Sequence, residues 1–504
     1  MISQSNIKCW FREEMSVTGT EDCLNLAVFT PVTKPSKLLP VMVFIHGGGF
    51  VSGTGDSTFA GPSFLMDQDV VLVSVNYRLG ILGFLSLETE EAPGNLGLWD
   101  QRMALLWVKK NIKNFGGDPS RVTLFGNSAG SMSINYHLVS PHSRGLFSKA
   151  ILQSGTVLSP YLNMGRNPGH YAERLASSLG CEDQDKDSVL RCLQSVPVKQ
   201  LQNKLFMFEE DENIQSDLGL TYPGPWLPIT DSFSRSPFLP STARDLLEED
   251  KWNKVPVMLG FTSEDGLLST SRLVRDPAYF QRFKENWETY GPLNILGRDV
   301  VNITQSDVDF VTGLLADYTN TPVGELRPED LTDLFTDALF GLSTDRLADL
   351  LVRRGHQDVY KYVFSYKGDP LLVYLSVHHI VLPGTSSLSD LITMPPLQAL
   401  LYVVVRFLRL PSLVPSWRMG TAHGDEIIYL FQLTPVAEMI PSQTDQKVSR
   451  QMVELWTEFA RSEEPGQGWA RAGTGGEAEY FVIDEELGMR TLSEYRERFD
   501  RWRH

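Results

Sequence analysis

Seven short apolar runs are spaced along the chain: "LNLAVFTP", "VMVFIHGGG", "VVLVSVNYR", "RVTLFG", "AILQSG", "VPVMLGF" and "VYKYVFSY". They are near-continuously apolar, as strands are when helices bury both faces of a sheet. Between "VSVNYR" and "RVTLFG" lies "GLWDQRMALLWVKKNIKNFG", with apolar residues at helical spacing and a glycine stop. "QKVSRQMVELWTEFARS" also reads as a helix. Strands alternating with helices predict an α/β fold, a central mostly parallel twisted sheet flanked by helices. No stretch reads as a linker between domains and no repeat is visible, so residues 1–504 are expected to form one large domain with insertions.

The longest apolar run, "LQALLYVVVRFLRL", covers Leu397 to Leu410. It is too short to span a bilayer, carries Arg406 and Arg409, and is bracketed by Pro395, Pro396 and Pro411. A buried helix is the plain reading. The sharper one is a lid over a lipophilic pocket, in contact with lipid or a membrane surface. No transmembrane anchor is predicted.

Composition narrows the partners. The chain has 504 residues, 42% of them hydrophobic, enough for an ample core. Its 45 basic and 62 acidic side chains leave a net charge of −17, which argues against nucleic acid, whose binding needs basic side chains to displace counterions. Four cysteines fall in two close pairs, "CWFREEMSVTGTEDC" and "CEDQDKDSVLRC". Two local disulfides and an oxidising compartment are the natural reading, with reduced cytosolic thiols the alternative. A zinc site lacks the C-x-x-C spacing or a nearby histidine pair. The opening "MISQSNIKCWF" has no apolar stretch of a signal peptide, whereas the sequon at Asn302 suits a secreted glycoprotein. The cysteines therefore point to secretion or the ER lumen without a signal peptide in this chain.

"GNSAG", residues 126–130, fits the sharp strand-to-helix turn that exposes a nucleophilic serine, here Ser128. "HGGGF", residues 46–50, follows the strand "VMVFI" and matches the oxyanion-hole loop of lipases and esterases. Its backbone N–H groups would stabilise the charged oxygen formed when the serine attacks a carbonyl. A serine hydroxyl needs a base. His423 in "GTAHGDEIIYLF" sits on a glycine-flanked loop late in the chain, where this arrangement places its histidine. His378 and His379 adjoin an apolar run and read as packing residues, and His137 on the helix after the serine reads as structural. "VPVMLGFTSEDGLLS" offers two adjacent acids, Glu264 and Asp265. Asp265, at the turn before Gly266, is the preferred partner of the histidine, with Glu264 the alternative.

With "EDCLNLAVFTP", "VNYRLGILGFLS", "APGNLGLWDQRMALLWVKKNI", "FGGDPSRVTLFGNSAG" and "SPHSRGLFSKAILQSG" added in order, the chain resembles the type-B carboxylesterase/cholinesterase family of α/β-hydrolases. The resemblance implies a serine carboxylic-ester hydrolase that forms an acyl-enzyme on small ester substrates, without cofactor or metal. It implies Ser128, Asp265 and His423 as triad and the N–H groups of Gly48, Gly49 and Ala129 as oxyanion donors. It also implies disulfides Cys9–Cys23 and Cys181–Cys192 and a buried ion pair, Arg78 with Asp100. Aspartate at 265 and Asn127 before the nucleophile depart from the family's usual glutamates. The Cys9–Cys23 loop is shorter than in cholinesterases, and Trp10 does not occupy the place of their choline-stacking tryptophan. A carboxylesterase is therefore the expectation, not a cholinesterase. The family's N-terminal segment, with the basic partner for Glu21, is expected to be missing. Trp226 in "YPGPWLP" is placed near the acyl pocket. The alternative from another class is a non-catalytic adhesion or binding protein of the same fold.

Overall fold

In the computed structural model, residues 11–13, 16–57, 59–165, 167–205, 225–298, 302–368, 421–432, 442–466, 468–473 and 479–503 are described. The apolar run "VMVFI" shows how the sheet forms. Val41, Val43 and Ile45 point into one buried cluster, while Met42 and Phe44 point into another on the opposite face. Side chains alternate across a strand, so an unbroken apolar run supplies two cores at once.

The described strands are β1 (Phe11–Glu13), β2 (Ser16–Thr18), β3 (Leu26–Phe29), β4 (Leu39–Ile45), β5 (Val71–Val75), β6 (Gly117–Asn127), β7 (Lys149–Gln153), β8 (Val257–Thr262), β9 (Val359–Phe364), β10 (Glu479–Ile483) and β11 (Gly488–Thr491). β1 and β2 pair with each other. The other strands form one nine-stranded sheet in the order β11-β10-β9-β8-β7-β6-β4-β5-β3. From β10 across to β5 every neighbouring pair is parallel, and antiparallel β3 and β11 close the two edges. This is the α/β-hydrolase arrangement. All seven apolar runs contain a strand of the sheet.

Helices cover both faces. Leu105 and Val108 of helix Leu96–Asn111 and Leu347 and Leu351 of helix Leu342–Arg353 pack into the Val41 cluster. The long helix Gln443–Ser462 lays Val448, Met452, Leu455, Trp456 and Phe459 on the other face. It starts on a capping box, with the Ser442 side chain on the Asp445 N–H and the Asp445 side chain on the Ser442 N–H. Its far end is held by Lys149, a buried side chain whose Nζ donates to the Ala460 carbonyl at 2.8 Å. Arg78 and Asp100 form a two-pronged pair, Nε to Oδ2 and Nη2 to Oδ1 both at 2.7 Å.

Cys181 and Cys192 are joined as a disulfide, and Cys23 is also disulfide-bonded, which removes the reduced-thiol and zinc readings for these three. Cys9, Trp10, His378, His379 and the Leu397–Leu410 run lie outside the described residues. No helix among the described residues is long and apolar enough to cross a membrane. Asn302 is exposed, as a glycan acceptor must be.

The Cys181–Cys192 bridge spans 11 positions and ties the end of helix Pro168–Ser178 to helix Lys186–Ser195. A closed loop of that size restrains the unfolded chain by about 3 kcal/mol. Changing both cysteines to serine should lower unfolding free energy in urea by about 2–3 kcal/mol. An unchanged midpoint would show that the bridge restrains nothing in the unfolded chain.

Candidate active site

Because the central strands run parallel, their carboxyl ends share one edge of the sheet, where such folds place their working groups. The glycine loop of residues 46–50 leaves β4, Ser128 leaves β6, and Asp265 follows β8.

Ser128 joins β6 to helix Ala129–Val139 with φ 58° and ψ −125°. This is a strained conformation for a residue with a side chain, of the kind concentrated at functional sites. Two contacts hold it: the Ser128 N–H donates to the Gln153 carbonyl at 2.8 Å, and the Met132 N–H donates to the Ser128 carbonyl at 2.9 Å. The glycines on either side explain the motif. A Cβ on Gly126 would lie 2.2 Å from the Ile45 carbonyl oxygen, and one on Gly130 would lie 2.0 Å from the same atom. Only glycine lets the elbow come this close to the end of β4.

That closeness brings the glycine loop to Ser128. A Cβ on Gly47 would fall 3.1 Å from the Ser128 Cβ. Gly48 and Gly49 both take positive φ, and the Gly48 carbonyl is turned back to accept from the Val51 and Ser52 N–H groups. His46, buried at the start of the loop, stacks on Tyr77 with centroids 4.4 Å apart. Its Nδ1 lies 2.8 Å from the Gly47 carbonyl, and Tyr77 Oη donates to the His46 carbonyl at 2.9 Å. Burial pushes the His46 imidazole down to about 4, so it is a neutral strut at ordinary pH. Ala129 opens the helix, so its N–H is among the amides that a helix start leaves unpaired.

The acid and base meet as well. His423 Nδ1 lies 2.8 Å from Asp265 Oδ1, with Asp265 fully buried and the His423 side chain 8% exposed. The second oxygen of Asp265 accepts the Thr262 N–H at 3.0 Å, which fixes the carboxylate on its turn. His423 Nε2 is buried and makes no hydrogen bond among the described residues. Glu264 faces elsewhere: its carboxylate pairs with Lys367 Nζ at 2.5 Å. Asp265 is therefore the acid beside the histidine. His137 is buried in a polar strut, its nitrogens on Ser143 Oγ and Gln101 Oε1 at 2.7 and 3.0 Å. Trp226 is buried in the Val41 cluster, and its indole N–H donates to the Leu205 carbonyl at 3.1 Å.

Sequence reasoning missed Glu426, although it stands three positions after His423 in a quoted stretch. Its buried carboxyl accepts from Asn127 Nδ2 at 3.0 Å and Gln153 Nε2 at 3.2 Å through Oε1. Oε2 finds no partner among the described residues. Gln153 Oε1 in turn accepts from Trp456 Nε1 at 3.1 Å. Burial, then the nearby negative charge of Asp265, pushes the Glu426 carboxyl up to about 7, partly offset by His423. Asn127 thus meets a carboxyl with a neutral amide donor, where a second acid would face it with a charge.

The described architecture and the comparisons agree. The model of the carboxylesterase family matches residues 3–502. The chain is 34% identical over 467 residues to the juvenile hormone esterase of Tribolium castaneum, covering 90% of this chain and 72% of that one. A crystal structure of juvenile hormone esterase from Manduca sexta, with OTFP covalently attached, superposes with a TM-score of 0.78 at 25% identity. That match covers 99% of this chain and 88% of the other. Human neuroligin-2 is 28% identical over 503 residues, covering 91% of this chain and 51% of that one.

Glu426 gives a pH test. Its folded value of about 7 lies above the ordinary 4.5, so between these pH values the folded state holds more protons than the unfolded chain. Its contribution to stability is therefore present below the window and lost as pH rises through it. Glu426→Gln removes that loss. Between pH 5 and pH 8, urea denaturation should show the wild type losing about 2 kcal/mol more than the variant. Identical pH dependence in both proteins would mean that the buried carboxyl does not titrate as described.

Proposed function

We propose how this chain, which belongs to the carboxylesterase family and is at the level of that family a carboxylic ester hydrolase, carries out its chemistry. Ser128 is the nucleophile, His423 the base and acid, and Asp265 the group that orients the histidine. The carrying observation is the buried 2.8 Å contact between Asp265 Oδ1 and His423 Nδ1, with Nε2 left unbonded among the described residues. With the proton on Nδ1 donated to Asp265, Nε2 presents its lone pair to the serine hydroxyl.

Ser128 Oγ attacks the ester carbonyl carbon as Nε2 takes the hydroxyl proton. The tetrahedral oxygen becomes negative and is stabilised by the N–H groups of Gly48, Gly49 and Ala129. Each such donor is worth about 10²–10³ in turnover. The imidazolium then protonates the departing alcohol, leaving an acyl group on Ser128. Water repeats the steps, losing its proton to Nε2 and releasing the carboxylic acid. Asp265 keeps its charge throughout and stabilises the imidazolium.

Neutral carboxylic esters are the substrate class. Asn127 supplies no negative charge beside the acyl site, so a cationic substrate gains little there. The esterase and juvenile hormone esterase relatives support such chemistry. The disulfides and the exposed sequon at Asn302 support secretion or residence in the ER lumen, with residues 1–504 as one hydrolase domain. The likeness to neuroligin-2 keeps a non-catalytic binding role as the second reading.

A fluorophosphonate separates the two readings. The folded chain should form a covalent adduct that peptide mass spectrometry places on Ser128 and that disappears in Ser128→Ala. A folded wild-type chain that takes up no label would reject the acyl-enzyme reading in favour of a binding protein.

A further inference from the structure

The backbone beside His423 contains a π-helical turn, Asp337–Gly341, between helices Thr332–Thr336 and Leu342–Arg353. The Leu342 N–H reaches back to the Asp337 carbonyl, an i to i−5 bond. Such turns are rare and recur at functional sites, because they squeeze an extra residue into a helix and need outside support. Here the support comes from three directions. Arg498 grips Asp337 with Nε on Oδ2 at 2.6 Å and Nη2 on Oδ1 at 2.5 Å. Tyr318 Oη donates to Asp337 Oδ2 at 2.5 Å. From the loop after β7, Ser159 Oγ donates to the Leu339 carbonyl at 2.8 Å.

The same helical segment touches the turn that carries Asp265 and the ring of His423. Thr336 Oγ1 accepts the Gly266 N–H at 2.8 Å, immediately beyond Asp265. A Cβ on Gly266 would lie 2.1 Å from the Thr332 carbonyl oxygen, so the acid-bearing turn sits directly on this helix. Four residues after Thr336, the Phe340 ring lies on the His423 imidazole, centroids 4.4 Å apart and planes inclined by 28°. Phe340 is itself buried. Without the extra residue, the helix beyond the turn would be rotated by about 100° against the part that carries Thr336.

We propose that Phe340, delivered by the π-turn, is a positioning residue for His423, and the proposal rests on the triad reading given above. A single hydrogen bond from Nδ1 to Asp265 leaves the imidazole free to swing about that contact. A flat ring against its face blocks the swing and keeps Nε2 on one bearing. Asp265, His423 and Phe340 are then set by one rigid support, whose outer anchor is Arg498 on the C-terminal helix Ser493–Asp500.

The test compares wild type, Phe340→Leu, Phe340→Tyr and Ser128→Ala on acetyl and octanoyl esters of one alcohol, together with the rate of fluorophosphonate labelling. Leucine keeps most of the volume and removes the flat face, and tyrosine keeps the face. Phe340→Leu should lower kcat and the labelling rate about tenfold or more, equally on both esters, because small misplacements of a reacting group are that costly. KM should stay within about twofold, and Phe340→Tyr should recover most of the loss. Should the leucine variant not fold, Phe340→Met gives the same comparison. Wild-type kcat in Phe340→Leu, or a loss confined to KM for the octanoyl ester, would make Phe340 a pocket wall and overturn the proposal. Wild-type protein that does not label would instead sink the triad reading itself.

Discussion

The Ile45 carbonyl oxygen, at the end of β4, is the constraint around which the site is built. Both glycines of the serine elbow are required by this one atom, since a Cβ on either would come within 2.2 Å of it. The close approach brings the oxyanion loop, which continues from the same strand, against Ser128. Ser128 and the glycine loop are therefore registered by sheet geometry, not by loop flexibility. The order of strands extends the same logic: β7 supplies the Gln153 carbonyl that holds the Ser128 N–H, and β8 ends at the turn bearing Asp265. Each contribution arrives at the same edge because the strands between are parallel.

Two buried carboxyls stand near one histidine, and their environments separate their roles. Asp265 is fixed by the Thr262 N–H on one oxygen and by His423 on the other. Glu426 is met by side-chain amides from Asn127 and Gln153 on one oxygen only. A buried carboxylate without a compensating charge tends to keep its proton. The direction of the Glu426 shift follows from that. Asn127, which looks like a loss when set against the family's usual glutamate, is the complement of this buried acid.

The fold was readable wherever burial on both faces left a continuous apolar run. β10, "EYFVI", and β11, "GMRT", were missed, the second because it is an antiparallel edge strand with exposed positions. Local sequence left the choice between Glu264 and Asp265 open because neighbours on a turn diverge. In the structure Asp265 is the one that meets His423, while Glu264 pairs with Lys367, about a hundred positions away. The π-turn had no signature of its own, since its anchors, Tyr318, Ser159 and Arg498, come from three separate parts of the chain.

Charge, finally, bears on what the site favours. At a contact distance of about 4 Å and an effective dielectric near 20, one missing charge changes a pair interaction by about 4 kcal/mol. Asn127 brings no such charge of its own to the position before Ser128, and its buried side chain is turned onto Glu426. The chain's net charge of −17 adds a diffuse negative field, but salt screens it within about 8–10 Å, so it cannot substitute for a charge at the site. The acid that Asn127 does meet is Glu426, whose buried carboxyl, pushed up to about 7, carries only part of a charge near neutral pH.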